Sequence, residues 1–300
     1  MEIKVCFLIK VLFIIILSFI FIFKSLKSNV TFEKCYVSPE NTNLKIVHLI
    51  ITRFMIEFWS SGDFKNKIYK KDYILNGIRV MKKYLFPSLE NQSCKKFIWV
   101  LKIGDKSNIT LIRSILNFDL NFDNLIVYEK DMHNYIKNIT KDKDILITTR
   151  IDYDDRIYYD AVNDIRKSIN INKPMSLYGY NRGVHYYESN NKYYELDAHN
   201  DYNNMGVKSI FVSLIVVLNK VNDTYNIYDL GSHAYVRQNL LKSYKSFGIK
   251  KLDYEPATFD NGDIKFVWVR HNFSGLFKYS MRIEKDLKDY DFNLNKFYGK

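Results

Sequence analysis

The segment LITTRIDYDDRI (Leu146–Ile157) delivers three carboxylates, Asp152, Asp154 and Asp155, directly after an apolar run. The run reads as a strand, and in open α/β sheets ligands bind just beyond the carboxyl ends of strands. Asp152 and Asp154 are two residues apart, so in extended backbone they project to the same side. Two hard oxygen donors on one side suit Mn²⁺ or Mg²⁺, which also accept the oxygens of a substrate diphosphate. A cation bridging a diphosphate stabilises the charge that develops as a nucleotide leaves. That chemistry is glycosyl transfer from a nucleotide sugar. A structural reading competes: Asp154 or Asp155 could cap the helix expected from Ile157. Three carboxylates exceed what a cap needs, and the loop lacks the sixth-position glycine of an EF-hand.

Other residue types weigh less. Arg53 and Arg150 stand at strand ends, where a guanidinium can grip phosphate in bidentate fashion or pair with a nearby Asp. Asp229 and His233, in DLGSH, are candidates for the base that deprotonates an acceptor hydroxyl. A helix-start role for Asp229 is the alternative. His185 with Tyr178, Tyr180, Tyr186 and Tyr187 forms either a sugar-stacking wall or a half-buried sheet surface, and β propensity favours the latter. His48 lies inside a strand and reads as core.

The elements that must position these residues alternate. Lys45–Thr52, Phe97–Ile103, Leu125–Tyr128 and Ile145–Thr149 read as strands. Helical spacing is seen from Tyr73 to Leu89 (closed by Pro87), from Asn108 to Leu116, and from Ile157 to Ile169. This order implies an α/β fold with a largely parallel sheet covered on both faces. The second half is mixed. PMSLYGY, GVHYY and KYYEL suggest a β-meander, Ser209–Leu218 and IKFVWV are further strands, and HAYVRQNLLKSY is a helix.

Composition narrows the classes. With 11 Gly and 4 Pro in 300 residues, collagen-like and Pro-rich disordered chains are excluded. Three cysteines, Cys6, Cys35 and Cys94, give no disulfide framework and no zinc spacing. The net charge of +12 comes mostly from scattered Lys rather than a basic stripe interleaved with aromatics, which argues against a nucleic-acid partner. The run VLFIIILSFIFIF at 11–23 approaches the ~20 residues of a membrane span, and no small-residue cleavage site follows it. The expected organisation is a single-pass anchor at 1–24, a stalk at 25–43 and a catalytic domain at 44–300. Asn-x-Ser/Thr triplets begin at Asn29, Asn91, Asn108, Asn138, Asn222 and Asn272, as an Asn-rich chain produces by chance.

Five segments in order, HLIITRF, KKYLFPSLENQ, FIWVL, LITTRIDYDD and WVRHN, resemble a rhamnosyltransferase family that looks like a branch of the A-type glycosyltransferases. The resemblance covers most of residues 45–275. The family's Thr-Arg-Phe falls on Thr52, Arg53 and Phe54, its Pro-Ser-Leu-x-x-Gln on Pro87, Ser88, Leu89 and Gln92, and its late His on His271. The resemblance implies an A-type glycosyltransferase fold with a mostly parallel Rossmann-like sheet. It assigns Thr52, Arg53, Arg150 and Asp152 to the donor, and Asp152, Asp154 and Asp155 to a Mn²⁺ or Mg²⁺ ion, with His271 either completing the metal shell or contacting the diphosphate. The family's Asp after the second strand is replaced by Gly104, with Asp105 one step later as the nearest donor contact.

The expectation is therefore a membrane-anchored, metal-dependent glycosyltransferase. It moves a sugar, with rhamnose suggested by the resemblance, from a nucleotide-sugar donor to a glycan or lipid-linked acceptor. An inert glycan- or partner-binding module on the same fold is the alternative. A metal-dependent phosphodiesterase or nuclease would need a second carboxylate/His cluster, which the sequence lacks.

Overall fold

The computed structural model describes residues 35–36, 43–56, 68–116, 120–180, 182–195, 211–231, 236–246, 257–260, 264–271 and 290–300. The apolar, β-branched runs become the centre of a seven-stranded sheet ordered β10-β6-β9-β4-β1-β2-β3. Its first members are β1 (Ile46–Phe54), β2 (Ile98–Ile103), β3 (Asp123–Tyr128) and β4 (Ile145–Asp152), all parallel. Beyond β4 lies β9 (Val212–Val217), antiparallel to both β4 and β6 (Met175–Tyr180). The edge strand β10 (Ala257–Asp260) runs parallel to β6. The fold is α/β with a mixed sheet, as the alternation of elements implies.

Central strands of such a sheet are buried on both faces and so read as continuous apolar runs. One face (Ile50, Phe54, Trp99, Leu101, Ile147 and Ile151) packs under helices α1 (Lys71–Lys83), α2 (Leu85–Glu90) and α3 (Ile109–Leu116). Gly77 lies where a Cβ would collide with the Phe54 ring, so α1 approaches β1 only because that position carries no side chain. The opposite face (Leu49, Ile51, Val100, Leu146 and Leu214) packs under α4 (Met132–Ile139), the 3₁₀ turn Ile227–Leu230 and α6 (Val236–Ser246).

A second, four-stranded sheet is ordered β5-β11-β7-β8: β5 (Arg156–Ile157), β7 (Gly183–Tyr187), β8 (Lys192–Glu195) and β11 (Phe266–Arg270). Its core joins Val184, Val267 and Val269 to Tyr84 and to Phe297 of α7 (Leu294–Phe297).

Three differences from the local reading have long-range causes. The expected helix over Tyr73–Leu89 is two helices, broken at Tyr84 and buried by the second sheet. Pro87 falls in the first turn of α2, where its missing N–H has no intrahelical partner to lose. The residues expected to begin a helix at Ile157 instead pair with β11, and α5 runs only over Ala161–Lys167. β6 and β7 belong to different sheets, so the meander reduces to the β7–β8 hairpin.

The cysteine reading is also amended. Cys35 and Cys94 form a disulfide. Beside it the Tyr36 N–H donates to Asn163 Oδ1 at 2.9 Å, and Arg166 Nε donates to the Tyr36 carbonyl at 3.4 Å. Two residues of the segment read as a stalk are thus fastened to the compact unit Cys35–Lys300.

The single-pass membrane localisation, with membrane contact through an N-terminal helix, is corrected. Among the described residues no helix is long and apolar enough to cross a membrane. The 13 residues of α1 rise about 20 Å, against a hydrocarbon core of about 30 Å. The anchor expected at 1–24 lies outside the described residues.

Candidate active site

The chain runs from β1 outward to β2 and β3, then returns to place β4 on the other side of β1. The carboxyl ends of β1 and β4 are therefore the topological switch point, the place where open α/β sheets hold ligands. Arg53 is in register with both Lys102 and Asp152, and Ile51 with Arg150. Side chains alternate along strands, so Arg53, Lys102, Arg150 and Asp152 emerge on one face and Thr52, Phe54 and Ile151 on the other.

On the first face three cations surround one ring. Arg53 Cζ lies 4.6 Å from the Tyr228 ring centroid, Lys102 Nζ 4.8 Å and Arg150 Cζ 5.4 Å. Tyr228 is carried by the 3₁₀ turn Ile227–Leu230 and donates to the Ile51 carbonyl at 3.1 Å. Burial pushes its phenol up to about 12, opposed by Arg150 and Arg53. The turn is held by Thr148, whose Oγ1 accepts from the Ile227 N–H at 2.8 Å. It is also closed by a capping box between Asn226 and Asp229. Arg150 is only 4 % exposed, its Nη2 stands 3.6 Å from Asp152 Oδ1, and its buried Nη1 has no hydrogen-bond partner. Lys102 pairs with Glu129 at 2.9 Å.

The other carboxylates turn toward the second sheet. Asp155 is fully buried, and its Oδ1 accepts from the Val269 N–H at 3.1 Å. That bond fastens the end of β4 to β11, and two residues further on His271 Nε2 lies 3.0 Å from Asp154 Oδ2. The His271 ring stacks with Tyr84 and meets Tyr153 edge-on, each at 6.4 Å. Tyr84 donates its O–H to Glu188 Oε1 at 2.6 Å, and Lys83 pairs with the same oxygen at 2.6 Å.

Among the described residues no group of three or more His, Cys, Asp or Glu side chains is placed to hold a metal. Of the four candidate ligands implied by resemblance, Asp154 and His271 come together, Asp155 is bonded to β11, and Asp152 faces Arg150. The pair still fits an octahedral cation as two neighbouring ligands. Metal–oxygen distances of about 2.1 Å put adjacent ligands about 3 Å apart, and Mg²⁺ completes its shell with water and substrate phosphate.

The remaining sequence candidates are placed as follows. Thr52 Oγ1 is buried and accepts from Trp99 Nε1 at 3.0 Å. Asp105 is exposed, and its Oδ1 accepts from the Lys130 N–H at 3.2 Å. A Cβ at Gly104 would collide with the Met55 carbonyl oxygen, so the position next to Asp105 has no room for a side chain. Asp229 Oδ2 accepts from both the backbone N–H and Nδ2 of Asn226, at 2.8 and 2.7 Å, the helix-start role named above. His233 lies outside the described residues. His185 is buried and stacks on Trp268 at 4.9 Å, a sheet-surface contact.

Lys102, Tyr228, Tyr84 and Glu188 were not singled out from the sequence. The one local signal was for Lys102, a cation near the end of an otherwise apolar strand.

No protein-family model and no curated protein matches the chain. Solved structures similar to it include residues 1–349 of TarS from S. aureus, at 14 % identity and a TM-score of 0.37, over 74 % of this chain and 60 % of that one. An inositol-1-phosphate CTP transferase from T. maritima matches at 11 % identity and a TM-score of 0.35, over 81 % and 98 % of the two chains. A Bacillus anthracis protein described as a glucose-1-phosphate thymidylyltransferase, in complex with a sucrose, matches at 10 % and 0.40, over 85 % and 99 %. The chain thus spans about 60 % of the TarS piece, and the functional reading rests on the residues at the strand ends.

Proposed function

We propose that this chain is a glycosyltransferase that moves a sugar from a nucleotide-sugar donor to a glycan or lipid-linked acceptor. The observation that carries the reading is the meeting, at one strand end, of an anion-seeking face and a carboxylate–imidazole pair. Arg53, Lys102 and Arg150 flank Asp152 on one side of β4, and Asp154 with His271 stands on the other. A nucleoside diphosphate sugar needs both. Its phosphates carry negative charge to be held, and its leaving group needs that charge stabilised as the glycosidic bond breaks.

In this reading Arg53 and Arg150 orient the donor phosphates, and Asp152 accepts a hydrogen bond from a ribose or sugar hydroxyl. Asp154 and His271 would hold Mn²⁺ or Mg²⁺, which supplies Lewis-acid stabilisation of the departing diphosphate. Asp155 keeps β11 in place so that His271 reaches Asp154. Of the two bases read from the sequence, Asp229 is committed to the Asn226 turn, so deprotonation of the acceptor hydroxyl is assigned to His233 in this reading. Thr52 and Asp105 stay in the donor set by resemblance alone, as does rhamnose.

The test is calorimetry of the full chain with a panel of nucleoside diphosphates, with and without Mn²⁺, beside a transfer assay. We expect one nucleotide to bind in a Mn²⁺-dependent way. Asp154→Asn should reduce transfer to background while the thermal transition is kept. Absence of nucleotide binding under every condition would instead favour the inert, glycan-binding alternative.

A further inference from the structure

We infer that Arg53, Lys102 and Arg150, gathered around Tyr228, form a metal-independent site for a phosphate group. Strand register brings the three cations to one face, and the Tyr228 ring, with centroid distances of 4.6, 4.8 and 5.4 Å, lets like charges share a small volume. Four carboxylates act on them, and two of these, Asp155 and Asp229, spend their hydrogen bonds on the Val269 N–H and on Asn226. Asp152 pairs with Arg150 Nη2 at 3.6 Å and leaves Nη1 without an acceptor, and Glu129, paired with Lys102 at 2.9 Å, is half-exposed.

Arg150 supplies the independent observation. A guanidinium 96 % shielded from solvent keeps Nη1 without any acceptor. Buried donors in native proteins are partnered with few exceptions, and an exception beside other cations at a sheet's switch point is explained by an anion that completes it. A phosphate group has the charge and the paired acceptor oxygens that a guanidinium fork fits. The Tyr228 hydroxyl is engaged with the Ile51 carbonyl, so the ring is fixed as a platform rather than competing for the ligand.

The chemistry is that of a phosphate ester or diphosphate. Only its source, the donor's diphosphate or a phosphate on a lipid-linked acceptor, rests on the function proposed above. The probe is inorganic pyrophosphate, titrated by calorimetry into the full chain in EDTA at low salt. One pyrophosphate should bind per chain, more weakly as salt rises. Lys102→Met and Arg53→Gln should each weaken binding by about tenfold, the effect of losing one charge-assisted bond. Arg150→Gln is the stronger variant but sits in the core. Lys102→Met, which keeps an unbranched side chain at the buried position, keeps the test valid if Arg150→Gln does not fold.

Competition then assigns the source. Displacement by a nucleoside diphosphate marks the donor, and displacement by a short-chain prenyl phosphate alone marks the acceptor. No pyrophosphate binding, binding indifferent to Lys102→Met, or displacement by neither competitor overturns the inference. Because the titration contains no metal, a negative Asp154→Asn result leaves it standing, and its own failure leaves the Asp154–His271 pair untouched.

Discussion

The two faces of the β1–β4 strand pair carry polar groups of opposite character. On the face under α1–α3, His48 Nε2 lies 2.8 Å from Thr149 Oγ1, which in turn lies 2.7 Å from Ser213 Oγ. Thr52 accepts from Trp99 on the same side. These hydroxyls find partners within the sheet, while the buried Nδ1 of the neutral His48 ring has none. On the other face, one residue away along each strand, stand Arg53, Arg150, Lys102 and Asp152, with a buried donor unfilled. A polar residue in a buried strand is therefore not a functional signal by itself. What separates the two faces is the charge of the group left unfilled: a neutral imidazole nitrogen on one, a guanidinium among other cations on the other.

The comparison breaks most visibly at Trp99. Its ring is fully buried, edge-on to Phe86 at 5.1 Å and Phe122 at 6.4 Å. Trp99→Ala should cost about 3–5 kcal/mol through the cavity left behind, read as a lowered urea midpoint. Lys102→Met, one strand-face away, should change stability by about 1 kcal/mol or less, because methionine fills the space of the buried Lys102 stem and the Glu129 carboxylate left behind is 45 % exposed to water. Comparable losses from the two variants would erase the distinction between a structural and a functional face.

The structural face is sharpened by pH. Burial, then the charge of Arg166, lowers His48 from 6.5 to about 3, so the folded protein holds it neutral. The unfolded chain takes up that proton below about pH 6.5, so stability is full above this value. It falls with acidification and levels off near pH 3. Between pH 7 and 4.5 the loss from this group should be about 2–3 kcal/mol. His48→Gln, compared with the parent by urea melts at both pH values, should flatten that part of the slope. An unchanged slope would mean that the ring charges inside the fold.

Legibility follows the same division between local and non-local causes. β1, β2 and β4 were readable because burial on both faces leaves a continuous apolar run. The carboxylates of Asp152, Asp154 and Asp155 were readable because the run ends on them. Their different fates were not. Asp155 is bonded to Val269 and Asp154 meets His271 across more than a hundred residues, contacts that no spacing within LITTRIDYDDRI records. The Cys35–Cys94 bridge and the split of β6 from β7 into separate sheets are likewise pairings between distant segments. Lys102 and Tyr228 needed register: an apolar strand ending in Lys-Ile says nothing until Arg53 is known to lie beside it.

The smallest expected effect concerns Asp229, and it decides between chemistry and structure on the functional face itself. Its Oδ2 accepts twice from Asn226, closing the turn that holds Tyr228 among the cations. A cap of this kind contributes about 1 kcal/mol, most of it carried by the acceptor oxygen rather than by the charge. Asp229→Asn keeps an acceptor at that position. It should therefore lower stability by less than about 1 kcal/mol and leave sugar transfer within about threefold of the parent. Asn226→Ala, which removes the other half of the box, should cost about 1 kcal/mol. A general base cannot be replaced by an amide, so transfer lost in Asp229→Asn with an intact thermal transition would move Asp229 from the cap to the chemistry. Retained transfer would leave the base to be sought at His233.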